Sequence, residues 1–263
     1  MILAIIQART GSTRLPGKVL LNIKGRTVIN HVVTRVSASR CIDDVVVATT
    51  LLDQDIKLVS ECAKLGVRVY CGSEQDVLDR YYQVSKILEP DHIVRITADC
   101  PVIDPMVIDL VVKKHLETDA DYTSNTLDIP FPDGQDVEVF KMSALKSAWC
   151  NANLASEREH VTPFIKLDQK TFKISKVLSK KHYSEMRWTL DEKEDLELIS
   201  ILFEKLYDFD PLFSMEDILN VFDRDSSLSS INNMHIREEG YRKSLRNDYI
   251  INQTKPTQTK IES

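Results

Sequence analysis

The chain has 263 residues, and 43% of them are hydrophobic, enough for one large domain or two small ones with a buried core. Thirty-four Lys and Arg residues against 40 Asp and Glu residues give a net charge of −6, which argues against general nucleic-acid binding. The opening apolar run, residues 2–6, has no basic segment before it, so neither a signal peptide nor a membrane span is predicted, and we expect a cytoplasmic protein. The five cysteines are scattered without a CxxC pair, which disfavours a disulfide framework and a zinc site.

The first half of the chain alternates short apolar runs with amphipathic stretches, the rhythm of strands followed by helices. The predicted strand and helix pairs are residues 2–7 and 27–39, 44–48 and 53–65, 67–70 and 76–88, and 92–97 and 104–116. Apolar runs without alternation are typical of strands covered on both faces, so we predict an α/β fold with a parallel sheet. Ligands of such sheets bind beyond the carboxyl ends of the strands.

After residue 119 the pattern changes. Residues 136–139 alternate polar and apolar side chains and predict a strand of a mixed sheet, after a turn-rich loop at Pro130, Pro132, Asp133 and Gly134 that is a candidate boundary or lid. Helices are predicted over residues 142–153, 157–165 and 192–207, and extended chain over 172–178 and 187–189. Because residues 252–263 carry one large apolar side chain, a disordered tail is expected over 251–263.

The most informative stretch is the loop after the first predicted strand, QARTGSTRLPGK. Its glycines let the backbone turn and bring amides close to an anion, while Arg9, Arg14 and Lys18 would neutralise a polyphosphate. It is not a Walker loop, because five residues separate Gly11 from Gly17 and a valine follows the lysine. From composition alone, an ordinary solvated basic loop fits equally well.

This loop resembles the signature loop of the CTP-dependent CMP-acylneuraminate and CMP-KDO synthetases, where KDO is 3-deoxy-manno-octulosonate. It is most similar to the loop of their SpsF-type cytidylyltransferase relatives. Five further segments, in order, are similar to these enzymes: GSEQDVLDRY at 72–81, RITADCP at 95–101, DVEVF at 136–140, EREHVTP at 157–163 and RWTLD at 187–191. The resemblance extends from residue 1 to about 219.

The resemblance implies a Rossmann-like nucleotide-diphosphate-sugar transferase (GT-A-like) fold, with a mostly parallel mixed sheet and a smaller inserted subdomain. Residues 1–250 are then a single cytidylyltransferase domain, in which 125–180 form an acceptor-binding or dimerisation subdomain, and a homodimer is suggested. Arg9 and Lys18 are assigned to catalysis. The implied nucleotide-binding residues are Ala8, Arg9, Gly11, Ser12, Arg14, Lys18, Gly72 and Arg80, with the cytosine read by backbone groups around Ala8 and Arg9.

Two aspartates are implied to be ligands of a Mg²⁺ cofactor. Asp99 follows a predicted strand, and one well-placed carboxylate is sufficient for Mg²⁺ on nucleotide phosphates, although an Asp near proline is also common in plain turns. Asp191 is either a second ligand or the N-cap of the helix that follows. Asp195 is expected to be solvated, and Asp104 is assigned only as a helix N-cap before Pro105.

Three residues of the second half are candidates for binding the acceptor. The related synthetases hold the acceptor's acid group with Arg and His, and Arg158 and His160 match them; the alternative is a solvated charged helix face. Glu138 projects opposite its apolar neighbours, into the same pocket or into water.

The predicted reaction joins CTP to a small anionic acceptor, with release of pyrophosphate. A sugar acid is the first candidate acceptor, and a phosphonate or a phosphorylated small molecule is the alternative. The ADCP sequence at Asp99, in place of Gly-Asp-Glu-Pro, disfavours KDO itself. A GT-A glycosyltransferase is disfavoured because Pro101 stands where an Asp-x-Asp motif needs its second aspartate, and a non-catalytic nucleotide-binding protein stays open.

Overall fold

The computed structural model describes residues 1–128, 131–183, 185–237 and 239–251. In chain order, its strands are β1 (Ile2–Gln7), β2 (Asn22–Ile23), β3 (Arg26–Thr27), β4 (Asp44–Thr50), β5 (Arg68–Gly72), β6 (His92–Thr97), β7 (Tyr122–Ser124), β8 (Glu138–Lys141) and β9 (Ile174–Lys176). Its α-helices are α1 (Val28–Ser37), α2 (Ile56–Lys64), α3 (Val77–Leu88), α4 (Pro105–Thr118), α5 (Met142–Asn151), α6 (Ala155–His160), α7 (Pro163–Leu167), α8 (Lys193–Leu206), α9 (Met215–Arg224) and α10 (Glu239–Arg246). None of these helices is long and apolar enough to cross a bilayer.

A seven-stranded sheet in the order β5-β4-β1-β6-β8-β7-β9 forms the centre of the described structure. The first four of these strands are parallel, and β8 pairs antiparallel with both of its neighbours. Residues 3–6 of β1 are fully buried, and alternate side chains contribute to two separate hydrophobic clusters, one on each face of the sheet. This explains why the run is apolar without alternation, and it confirms the predicted parallel sheet covered by helices.

The second half of the chain extends this sheet instead of starting a new one. The strand predicted at 136–139 is observed as β8, beside β6, and β7 and β9 add the far edge. The helix predicted over 157–165 is wrong as one unit, since it is broken between α6 and α7 at Val161, which has φ 70. There the Thr162 amide donates to the His160 carbonyl at 2.8 Å, a three-residue γ-turn.

Residues 187–189 form no strand; Arg187 pairs with Asp133 in a single isolated bridge. Of the predicted tail, the described part is Ile251, whose amide donates to the Asn153 carbonyl at 2.8 Å; residues 252–263 and Pro130 lie outside the described residues. The role of residues 125–180 as an acceptor-binding or dimerisation subdomain stays a prediction.

A third hydrophobic cluster lies beneath the carboxyl ends of the strands and is formed mainly by α8, α9 and the segment that precedes α8. Trp188 is fully buried there and stacks on Phe222, with ring centroids 6.0 Å apart. Burial of this indole fixes residues 187–191 against the sheet. The cluster therefore places the segment just before α8 beside the loops that follow β1 and β6.

Candidate active site

The loop after β1 is held in shape by a buried carboxylate that sequence reasoning missed. Asp55, at the start of α2, accepts from the Thr10 amide at 2.7 Å and from the Thr10 hydroxyl at 2.6 Å. The Thr10 carbonyl in turn accepts from the amides of Ser12 and Gly17, at 2.9 and 3.0 Å. Gly17 has φ 69, a left-handed conformation that suits glycine. The loop is thus a defined turn, and its fold aims Lys18 back toward the sheet.

Lys18 lies between two carboxylates from distant parts of the chain. Its Nζ is 2.7 Å from Asp99 Oδ2 and 2.7 Å from Asp191 Oδ1. Burial alone would lower the pKa of Lys18, but the two carboxylates outweigh it and raise that pKa above its ordinary value. For Asp99, burial favours the neutral acid, yet Lys18 holds its pKa down at about 2. Lys18 and Asp99 are therefore charged at neutral pH, and the structure brings together the predicted cation and both predicted metal ligands.

Asp191 is not the N-cap of the helix that follows it. Helix α8 has Glu192 at its N-cap, and the carboxylate of Asp195 accepts from the amides of Asp191 and Glu192, both at 2.9 Å. The expectation that Asp195 is solvated was wrong, because it is fully buried and bonded to Arg187. With capping done by Asp195, the Asp191 carboxylate is left to face Lys18.

Arg187, which sequence reasoning also missed, ties these acids together. Its guanidinium bonds both oxygens of Asp195 at 2.9 Å, Asp133 at 3.1 Å and Asp191 at 3.2 Å. Burial raises the pKa of Asp133 to about 7, and the neighbouring Asp136 adds to the shift. The close approach depends on Gly134, whose φ is 102, since a Cβ there would lie 2.6 Å from the Trp188 carbonyl carbon.

Arg14 reaches the same cluster from the first loop. Its guanidinium lies 3.0 Å from Asp191, 3.2 Å from Glu192 and 3.6 Å from Glu239. Its side chain is 37% exposed, so these ion pairs are partly solvated and individually weak. Arg14 therefore sits at the opening of the site, in reach of several carboxylates.

On the other side of the loop lie Arg9, Gly72 and Arg80. Arg9 makes a long contact of 3.4 Å with Glu74 and stays 46% exposed. Arg80 is buried, and its Nε and Nη1 have no hydrogen-bond partner among the described residues. Gly72 makes room for it, because a Cβ there would meet Arg80 Cγ at 2.8 Å. The predicted nucleotide contacts of Gly72 and Arg80 stay a prediction.

Two predicted nucleotide-binding residues, Ala8 and Ser12, already use their backbone amides within the protein, and their nucleotide contacts stay a prediction. The Ala8 amide donates to the Ala48 carbonyl at 3.0 Å, continuing the sheet, so this N–H is not available to a base. The Ser12 amide is bonded within the turn, and its hydroxyl accepts from the Leu15 amide at 3.2 Å. At Gly11 a Cβ would meet Gln54 Nε2 at 2.7 Å, the end of a flexible side chain.

A cavity of about 250 Å³ adjoins the lysine and its carboxylates. Of the predicted site residues, it is lined by Arg14, Asp99, His160 and Asp191. His160 is largely buried, and burial lowers its pKa to about 4, so it is neutral at pH 7. A larger depression of about 360 Å³ lies at the amino ends of β4 and β5, where Asp44 and Arg68 pair with each other at 2.5 Å.

The structure does not bring Glu138 and Arg158 to this cavity. Glu138 is buried and accepts from Arg95, from Tyr122 Oη at 2.5 Å and from Thr162 Oγ1 at 2.7 Å. Arg158 donates from Nε to both oxygens of Asp76, at 3.0 and 2.9 Å. Their predicted acceptor contacts are corrected to structural ones, because buried ion pairs already use both charges.

The donor set near Lys18 is suited to magnesium. Among the described residues there is no cluster of three or more His, Cys, Asp or Glu side chains that could hold a metal by itself. Asp99 and Asp191, however, direct oxygens at one point, which Lys18 Nζ now contacts. Mg²⁺ usually takes one or two protein carboxylates and completes its shell with phosphates and water, so these two residues fit such an ion.

Comparison with known proteins agrees with this geometry. Residues 3–210 match a family model described as Cytidylyltransferase. The spore coat polysaccharide biosynthesis protein SpsF of Bacillus subtilis is 34% identical over 217 residues, which cover 78% of this chain and 87% of that protein. A cytidylyltransferase structure from Leptospira borgpetersenii has a TM-score of 0.83 and 33% identity, covering 90% of this chain and 99% of that one.

The fold is shared more widely than the sequence. The structure of CMP:2-keto-3-deoxy-manno-octonic acid synthetase complexed with CTP has a TM-score of 0.58 at 18% identity, covering 78% of this chain and 98% of that one. At this identity the likeness is one of fold alone. The predicted SpsF-type resemblance and the Rossmann-like α/β fold are confirmed.

Proposed function

The chain belongs to the cytidylyltransferase family, and we propose that it transfers CMP from CTP to a small sugar acid with release of pyrophosphate. The observation that carries this proposal is the meeting of Lys18, Asp99 and Asp191 at the carboxyl ends of β1 and β6, beside a cavity large enough for one small molecule. Such an edge is where α/β sheets bind their ligands.

In this reaction an acceptor oxygen attacks the α-phosphorus of CTP in line. The oxygen–phosphorus bond forms, the acceptor loses its proton, and pyrophosphate leaves with the electron pair of the broken bond. Little covalent help is needed from the protein, so catalysis rests on positioning and on stabilising charge.

The cations of the first loop would bind the phosphates of CTP. Lys18 is close to the carboxylates and would move to the phosphates as they enter, while Arg9 and Arg14 are exposed enough to turn toward them. Arg80, which packs against Gly72 at the end of β5, would add positive charge near the nucleotide.

Asp99 and Asp191 would hold Mg²⁺, the proposed cofactor. When bound there, the ion would neutralise charge on the phosphate oxygens. The acceptor would enter the cavity on the other side of these carboxylates, where His160 and Arg14 face it. The name of the SpsF relative, a spore coat polysaccharide biosynthesis protein, supports a sugar acid as acceptor.

Two measurements test this function. Thermal shift with Mg²⁺ and each of CTP, UTP, ATP and GTP should single out CTP, because ligand binding stabilises the native state. Pyrophosphate release is then followed with CTP and N-acetylneuraminate, KDO, 8-amino-3,8-dideoxy-manno-octulosonate or 2-hydroxyethylphosphonate.

Product with a sugar acid is the expected result, and product with the phosphonate alone would overturn the acceptor class. CTP binding with no pyrophosphate release for any acceptor would favour a non-catalytic nucleotide-binding protein. A glycosyltransferase would also release no pyrophosphate. The single variants Lys18→Ala and Asp99→Ala are expected to fold but to lose pyrophosphate release. Wild-type turnover in either variant would show that the replaced residue does not have its assigned role.

A further inference from the structure

The described end of the chain returns to the mouth of the cavity. We call residues 235–237 and 239–251, which include α10, the C-terminal arm. The family model ends at residue 210, so the arm lies wholly beyond the matched part of the chain. Whatever the arm contributes is therefore separate from the part that identifies the family.

The arm forms one wall of the 250 Å³ cavity. Ile236, Glu239, Gly240 and Tyr241 line it together with Asp99 and Asp191. Glu239 also lies 3.6 Å from Arg14 of the first loop. An acceptor in the cavity would therefore contact the arm.

Several polar contacts fix the arm in this position. Arg237 donates to the Phe131 carbonyl at 2.6 Å and to Asp136 at 2.5 Å. The Tyr241 ring packs edge-on against His160, with centroids 4.9 Å apart, and Lys166 Nζ lies 4.9 Å from its centre. The contacts of Arg237 and Tyr241 thus hold the arm at two points of the cavity lining.

The arm adds little to the hydrophobic cores. Helix α10 has no buried residue in its described part. Its far end is held by the Asp248 carboxylate, which accepts from Ser156 Oγ at 2.6 Å, and by the Tyr249 carbonyl, which accepts from the Ala155 amide at 2.9 Å. Segments with few buried apolar contacts open locally at low cost, so changes in the arm should leave the sheet and its cores folded.

We propose that the C-terminal arm is the acceptor-recognising wall of the active site, with Tyr241 and Glu239 selecting a single polyhydroxylated molecule. This inference rests on the proposed function. The cavity of about 250 Å³ has room for a molecule of monosaccharide size. Glu239 accepts hydrogen bonds from hydroxyl groups, and the Tyr241 ring offers an apolar surface to sugar carbons beside a polar tip.

The first test is kinetic. Tyr241→Ala and Glu239→Gln are compared with Tyr249→Ala, a control in the same arm whose side chain is 64% exposed. With the sugar acid that releases most pyrophosphate in the panel above, both cavity variants should raise the acceptor KM about tenfold, the value of one charge-assisted hydrogen bond or ring contact, and Tyr241→Ala should leave the CTP KM unchanged. Glu239→Gln also removes a charge 3.6 Å from Arg14, so its CTP KM should change too, but by less than its acceptor KM. Equal rises in both KM values, or no change in either, would overturn the inference.

The second test needs no acceptor. Cys100 is buried and lines the same cavity, so its labelling by methyl methanethiosulfonate, followed by peptide mass, reports access through the arm. Tyr241→Ala should speed labelling of Cys100 while Cys41 and Cys71, which lie elsewhere, keep their wild-type rates. An unchanged Cys100 rate would show that the arm does not cover the cavity. If no sugar acid gives product, the proposed acceptor class fails, while labelling still decides the position of the arm.

Discussion

Replacing Lys18 by methionine tests the centre of the site. The substitution keeps a long, flexible side chain but removes the ammonium that lies 2.7 Å from both Asp99 and Asp191. Arg14 and Arg187 still face Asp191, at 3.0 and 3.2 Å, so one carboxylate keeps cationic partners. Asp99 loses the charge that holds its pKa near 2.

The expected loss of stability is modest. Removing one partner of a fully buried ion pair costs about 3–5 kcal/mol, and an exposed pair is worth less than about 1 kcal/mol. Asp99 and Asp191 are 24% and 19% exposed, so the cost lies between these limits. We expect the free energy of unfolding to fall by about 2 kcal/mol.

The loss of activity should be larger. An electrostatic group that acts on a transition state is worth about 3–4 kcal/mol, or a hundredfold to a thousandfold in rate. We therefore expect kcat/KM for CTP to fall by about a hundredfold or more in Lys18→Met, measured by pyrophosphate release, with urea denaturation reporting stability.

Lys24→Met is the matched control. Lys24 also bridges two carboxylates, Glu204 at 3.2 Å and Asp208 at 3.0 Å, but both are 69% exposed and belong to α8 and the turn after it, away from the cavity. Its loss should leave kcat/KM unchanged. Equal activity in the two variants, or wild-type turnover in Lys18→Met, would refute the assignment of Lys18 to the phosphates.

Metal binding by the same two variants can be measured without an acceptor. Lys18 contacts the carboxylate oxygens that are proposed to bind Mg²⁺, so the ammonium and the ion compete for them. Without nucleotide, Lys18→Met should bind Mn²⁺, a spectroscopic substitute for Mg²⁺, more tightly than wild type or Lys24→Met. Electron paramagnetic resonance measures the bound Mn²⁺. Weaker or equal binding in Lys18→Met would argue against Asp99 and Asp191 as the ligands.

Three further predictions concern residues around the site. Arg158→Ala should lower the free energy of unfolding by about 2 kcal/mol, because it leaves the Asp76 carboxylate unpaired, and should not raise the acceptor KM; a raised KM at unchanged stability in urea would restore Arg158 to the acceptor site. Gly134→Ala should cost about 3 kcal/mol or more and most of the activity, since its Cβ would lie 2.6 Å from backbone at φ 102, whereas Gly66→Ala, at φ 68 with open space, should cost about 1 kcal/mol; similar denaturation midpoints for the two would contradict the clash. Burial lowers the pKa of His115 to about 4, so near pH 6.5 the unfolded chain binds a proton at this residue and the folded chain does not. The free energy of unfolding should therefore fall between pH 6.5 and 4, by up to about 3 kcal/mol more in wild type than in His115→Gln. Parallel pH profiles of the two proteins would show that His115 is not the cause.

The nucleotide half of the site could be predicted because it follows from the order of the strands. Parallel β1 and β6 are neighbours, with Gln7 opposite Thr97, so the residues after both strands meet at one edge. That register places Asp99 beside the start of the first loop, and the turn held by Asp55 then brings Lys18 back to it. Asp104 was likewise predictable, since its carboxylate accepts from the Met106 amide at 2.7 Å, as an N-cap before proline should.

The acceptor half could not be predicted in the same way, because it depends on pairs far apart in sequence. Glu138 on an alternating strand looks solvated until Arg95, 43 residues away, buries it. Arg158 meets Asp76 across 82 residues. Sequence patterns show that such groups are charged but not which partners neutralise them. One sequence signal for Arg187 was available, its place in the RWTLD segment before a helix. No sequence pattern indicated its three carboxylate partners.

The same long-range pairs link folding to the formation of the site. Arg187 bonds Asp133 before β8, Asp191 ahead of α8 and Asp195 within it, and Asn232 donates to both the Arg187 carbonyl and Asp195, each at 2.9 Å. Asp191 therefore faces Lys18 only when the segments on both sides of α8 have docked on the sheet. Because Asp195 already caps the helix, the orientation of Asp191 gains nothing for the helix itself. The Asp191 carboxylate is thus held by the first loop and by an Arg187 that Asp133 and Asn232 fix in turn, which is the support that a binding site requires of its scaffold.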